Sequence, residues 1–252
     1  MLTFFLQCAV TALLVTTAVL CLRIPAGSLN PFYDASWRLT GVALLLHSSD
    51  KLLQNVFGGA AMLAGSGSPV MAAYLRAAPL FNHSRTFLLD GYFVALVVLA
   101  LYPRKPDAFF WRVAAAALAL GFAAGVGLGW GEGSLLESAH YTTVALWDVV
   151  ELLVLMGSLF IVLLKDRADR YLWALWSAYG LSLALGIFWF MVLAQVRIAG
   201  AWVPPAWTVH AMRVMSCAIM LGSVALRLRR ARAGVATRGM LEPAEVRLSM
   251  MH

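Results

Sequence analysis

Seven stretches of this chain are apolar for about the length that a ~30 Å hydrocarbon core demands, roughly 20 residues. They run from Leu2 to Leu22, Leu39 to Phe57, Phe87 to Tyr102, Phe109 to Trp130, Tyr141 to Leu164, Tyr171 to Val196 and Ala206 to Leu226. The second is the least apolar and the third is short. Backbone groups inside hydrocarbon have no water to bond, so each stretch must close its own hydrogen bonds, as an α-helix does. The sequence therefore predicts an all-α polytopic membrane protein, a bundle of seven transmembrane helices. Of the 252 residues, 62% are hydrophobic and 12% charged, against about 25% charged in soluble domains. A water-soluble fold of this size has too little polar cover for that much apolar surface. The expected bundle spans 1–228, and 229–252 forms a short basic tail. The first stretch is read as a span rather than a signal peptide, because no basic residue precedes it and Arg23 follows it.

Loop charge gives the expected orientation. With the C-terminus in the cytoplasm, the inner segments hold Arg23 and Arg38, then Arg104, Lys105 and Arg112, then Lys165, Arg167 and Arg170. The tail adds Arg227, Arg229, Arg230, Arg232, Arg238 and Arg247, so fourteen of the 19 basic residues lie inside. The outer loop from Gly131 to Ala139 carries Glu132 and Glu137 and no base. This is the positive-inside pattern, and it places the N-terminus outside. Removing the less apolar second span would move Arg23 and Arg38 outside, so the charges favour seven spans. Trp37, Trp111 and Trp173 fall at predicted inner ends and Trp130, Trp202 and Trp207 at outer ends, where indole rings favour the interface. The net charge of +7 belongs to these loops and is not read as a nucleic-acid surface. The lipid bilayer is the expected environment and the plasma membrane the expected location.

Between the second and third spans the sequence predicts a long outer loop, Gly58 to Arg85. The run Gly65-Ser66-Gly67-Ser68-Pro69 reads as a turn, Val70 to Leu80 as a short surface helix, and Asn82 or Ser84 as the cap of the third span. Gly121, Gly125, Gly129 and Gly133 lie four apart on one face of the fourth span, which lets another helix approach closely. Packing inside the bundle is the first use of that face, and an oligomer through Gly121, Gly125 and Gly129 the second. Cys8, Cys21 and Cys217 lie in apolar stretches and read as small core residues.

Ionisable side chains within spans are costly and usually face a partner or a cavity. His47, Asp50, Lys51, Gln54 and Asn55 fall on one stripe of the second helix. The fifth brings His140, Asp148 and Glu151 near one face, with two carboxylates three residues apart. The third adds Asp90, the sixth Gln195, and the seventh His210 and Arg213. His83 and Arg85 are placed to close a site from above. By helix rise, these groups gather in the outer half of the bundle. They define a candidate ligand site: His47, Asp50, Lys51, Gln54, Asp90, His140, Asp148, Glu151, His210 and Arg213. The competing explanation is a self-satisfied network of ion pairs locking helix register.

The topology suits a receptor or sensor with an outward-facing polar pocket, signalling through a separate membrane or cytoplasmic protein. An accessory subunit, a haem- or metal-binding redox subunit and an ion or proton transporter are the alternatives. Haem or a metal ion would use His47, His140 and His210. In topology alone the chain resembles the seven-helix retinal proteins, whose seventh helix supplies a Schiff-base lysine. Ala206 to Leu226 has none, so a retinylidene pigment is not expected. No HExxH, GxSxG or Gly-rich phosphate loop occurs, and no catalytic residue is assigned. No repeat suggests the inverted halves of a transporter.

Overall fold

In a computed structural model, the backbone is described for residues 2–25, 30–131, 138–166, 169–199 and 205–249. Side chains are described over the same ranges except 138–145, 163, 190, 192–199, 206 and 234–249. The described residues form seven α-helices: α1 (Leu2–Leu22), α2 (Pro31–Ala64), α3 (Pro69–Leu101), α4 (Ala108–Gly131), α5 (Ser138–Leu164), α6 (Arg170–Ala199) and α7 (Ala206–Ser249). Five of them are long and apolar enough to cross a membrane: α1, α3, α4, α6 over Arg170–Trp189 and α7 over Trp207–Ala233. The polar stripe from His47 to Asn55 lowers the hydropathy of α2.

Short polar residues start the helices, because their side chains satisfy backbone N–H groups that the first turn leaves unpaired. Asn30 accepts from Phe32 N at 2.9 Å and Ser68 from Met71 N at 3.1 Å. Each of these caps is followed by a proline, Pro31 or Pro69, whose fixed φ suits the first helical position. Asp107 accepts from Phe110 N at 3.0 Å to open α4. Asp169 accepts from Tyr171 N and Leu172 N, both at 3.1 Å, to open α6. Gly65 ends α2 with φ near 90°, a backbone conformation that L side chains disfavour.

The long loop between the second and third spans is not present. Helix α3 is continuous from Pro69 to Leu101 with Pro79 inside it, and the connection shrinks to Gly65–Ser68. The surface helix of the sequence reading is the first part of α3, so Ser68 is the cap and Asn82 and Ser84 lie within the helix. The segment from Met71 to Ala78 is rich in alanine, leucine and methionine, strong helix formers that extend the helix outward from the span. At the far end, α7 continues past Leu226 through Ser249, where alanine, arginine and leucine favour a helix that runs on through Gly234, Gly239 and Pro243.

Six helices close into a ring in the order α1, α2, α3, α5, α6, α7 and back to α1, while α4 packs outside against α3. The glycine ladder makes that outer contact. A Cβ on Gly121 would collide with the carbonyl of Phe87, one on Gly125 with that of His83, and one on Gly129 with the Leu80 backbone. From the facing helix, a Cβ on Gly91 would strike the Ala117 carbonyl. The glycine face is thus filled within the chain by α3; Gly133 lies outside the described residues. The apolar core lies toward the end formed by the start of α2 and α6. There Tyr92, Phe93 and Trp176 stack with ring centroids 4.8 to 5.1 Å apart, and the Tyr92 hydroxyl meets Thr40 Oγ1 at 2.7 Å.

Candidate functional site

The ring encloses a cavity of ≈ 140 Å³ with walls from all six of its helices and none from α4. Helix α1 supplies apolar Val10 and Leu14, and α2 supplies His47 and Lys51 one turn apart. Arg85 and Thr86 face it from α3, Asp148 and Glu151 from α5, Tyr179 and Ser182 from α6, and Arg213 and Ser216 from α7. Five of the ten candidate residues therefore share one cavity: His47, Lys51, Asp148, Glu151 and Arg213.

Asp50 and Gln54 act one layer behind, through Arg85. Its guanidinium donates to Asp50 Oδ2 at 3.3 Å, Gln54 Oε1 at 2.7 Å and Asn82 Oδ1 at 2.8 Å. Ser84 donates to Asp50 at 3.3 Å. The Arg85–Asp50 pair is about nine-tenths buried on both sides, so part of the charge is self-satisfied within α2 and α3. The stripe on α2 thus serves three neighbours. Its last member, Asn55, turns away to α1, donating to Thr11 Oγ1 at 2.8 Å.

The other candidates lie elsewhere. His210 stands at the rim of the α1–α7 contact, its Nε2 within 3.4 Å of Gln7 Nε2. Asp90 lies one turn beyond Thr86 on α3 and does not line the cavity; its Oδ1 is buried with no hydrogen bond among the described residues. The side chains of His140 and Gln195 are outside the described residues.

Within the cavity the charges are unevenly satisfied. Glu151, 1% exposed, accepts a 2.6 Å hydrogen bond from the Tyr179 hydroxyl. Asp148, 7% exposed, has neither a hydrogen bond nor an ion pair among the described residues. Lys51 and Arg213 also have no carboxylate within ion-pair distance there, since the ion pairs in the described residues are Arg85–Asp50, Arg104–Asp107 and Arg227–Asp169. His47 stacks edge-on against Tyr179 with centroids 6.4 Å apart, and its Nδ1 is buried without a partner among the described residues. Gly186 on α6 leaves room for the Arg213 head: a Cβ there would stand 2.9 Å from Arg213 Nη2.

Among the described residues no group of three His, Cys, Asp or Glu side chains is arranged to hold a metal ion. Haem does not fit this cavity. Its volume is below the ~300 Å³ at which pockets for drug-sized molecules begin, and His210 does not face it.

Sequence reasoning missed Tyr179, Ser182 and Ser216, because neutral hydroxyls inside a span carry no insertion penalty large enough to draw notice. It also undervalued the opposite end. Trp37 is not at a lipid interface but fully buried, donating from Nε1 to Asp169 Oδ2 at 3.0 Å. Asp169 also accepts from Arg227 Nε at 2.5 Å. The available signal was its position immediately before an apolar run, where Asp commonly caps a helix.

No known protein family, no curated protein and no solved structure matches this chain.

Proposed function

We propose that this is a seven-span receptor or sensor of the plasma membrane, with its N-terminus outside, its basic end in the cytoplasm and a small-ligand pocket inside the ring. The observation that carries this reading is the cavity: six helices converge on it, and it holds charged side chains of both signs that have no ion-pair partner among the described residues. Buried charge without a partner is expensive, and a fold that only needed register would pair Lys51 or Arg213 as it pairs Arg85. A ligand supplies the missing partners. The pocket touches every ring helix, so occupancy biases their packing, and a separate protein at the basic end reads the change.

Cysteine accessibility tests it. In a variant with Cys8, Cys21 and Cys217 replaced, Ser182→Cys and Ser216→Cys should react with a membrane-impermeant thiosulfonate added outside intact cells. A cysteine at Ser66 should react from the same side and one at Lys105 only after permeabilisation. Cavity cysteines that react only from the cytoplasmic side, or never, would defeat the reading.

A further inference from the structure

Resting on that reading, we propose that the ligand is a small zwitterion of the α-amino-acid type, with its carboxylate between Lys51 and Arg213 and its ammonium at Asp148. Three observations define this chemistry. The first is the inventory of cations. Arg85 is committed to Asp50, Gln54 and Asn82, which leaves Lys51 on α2 and Arg213 on α7 to present their donors to the cavity. A compact ammonium and a forked guanidinium together recognise a carboxylate through charge-assisted hydrogen bonds.

The second is the lone acid. Asp148 is nearly buried, lines the same cavity and accepts no hydrogen bond among the described residues, whereas neighbouring Glu151 is held by Tyr179. A simple anion would answer the two cations and leave Asp148 alone; a simple amine would do the reverse. A molecule with both charges answers all three groups. A primary ammonium also has the donors that a carboxylate oxygen seeks.

The third is size. A cavity of ≈ 140 Å³ excludes peptides and nucleotides but admits a solute of a few heavy atoms. Gly186 completes the arrangement, since its missing side chain lets the Arg213 guanidinium lie against α6.

The test uses the purified full chain in detergent and follows thermal unfolding while titrating each proteinogenic amino acid, with propionate and ethylamine as single-charge controls at matched ionic strength. A ligand that binds only the folded protein raises the midpoint in a saturable way. At least one small amino acid should do so, with propionate and ethylamine at least tenfold weaker. Lys51→Met and Asp148→Asn should each weaken the response tenfold or more. Gly186→Ala keeps every charge and displaces only the flexible end of Arg213, so it should fold normally and still lose several-fold in affinity. The proposal is overturned if propionate or ethylamine alone matches the amino acids, if Asp148→Asn binds normally, or if no amino acid shifts the midpoint. Those results leave the cysteine-accessibility pattern untouched, so loss of the zwitterion and loss of the outward-facing pocket are separate outcomes.

Discussion

Arg227 on α7 places its Nε 2.5 Å from Asp169 Oδ2 at the start of α6. The same oxygen accepts from Trp37 of α2, and the other carboxylate oxygen caps α6. One side chain therefore ties three ring helices together at the end opposite the turn Gly65–Ser68.

Asp169→Asn should destabilise the protein by about 3 kcal/mol, because it strips the counter-charge from an arginine that is about nine-tenths buried. Asp166→Asn should change stability by less than about 1 kcal/mol, since Asp166 is exposed and among the described residues only the Tyr33 hydroxyl bonds to it, at 2.7 Å. Thermal unfolding in detergent decides the matter: equal shifts for the two variants would discard the assignment.

The Tyr33–Asp166 contact has its own signature. The hydrogen bond to the Asp166 carboxylate raises the Tyr33 phenol to about 12, with burial and the Asp166 and Asp169 charges adding to it. The folded value lies above the ordinary 10, so the contact contributes its stability below pH 10. That contribution fades as the pH climbs toward 12. The difference in 295 nm absorbance between the parent and Tyr33→Phe should titrate near 12, and near 10 once Asp166→Asn is introduced.

The glycine ladder offers a comparison within one helix. Gly125→Ala drives a Cβ into the backbone of His83 and Ser84, and overpacking of this kind costs about 1–3 kcal/mol. Gly127, two residues away, has nothing within 4 Å of a Cβ. Gly127→Ala should therefore be neutral or stabilise by up to about 1 kcal/mol through helix propensity. Matching losses at both positions would mean that α4 does not lie on α3 as described.

Arg85 and Asp50 should behave as a coupled pair. Arg85→Gln or Asp50→Asn alone leaves a buried charge without its partner, a loss of about 3 kcal/mol. The double variant should recover part of it, giving a coupling of about 1 kcal/mol or more. Additive losses in a double-mutant cycle would show that the pair does not hold α2 to α3.

Much of the helical framework was legible in the sequence, because apolar length and helical caps are local signals. The ends of α1, α4, α5 and α6 fall within a few residues of the expected boundaries. The reach of α3 was not legible: Pro79 mimics a helix break, yet the helix runs on through it from Pro69 to Leu101. Half of the candidate residues meet in one cavity because buried charge is a strong constraint that helical periodicity can place. Asp50 and Gln54 fell behind Arg85, and Asp169 passed unnoticed. Which neighbour a side chain reaches depends on helix order around the ring, and no span encodes that order by itself.

The ring is closed by α1 and α7, which meet only after the four ring helices between them have been synthesised. Until α7 arrives, the wall carrying Arg213 and Ser216 is missing, and Lys51, Arg85 and Asp148 face an open seam. Completion of the pocket therefore waits for α7. A truncation before Ala206 would yield a nascent product with its costliest groups uncovered, the kind of lesion that membrane quality control removes.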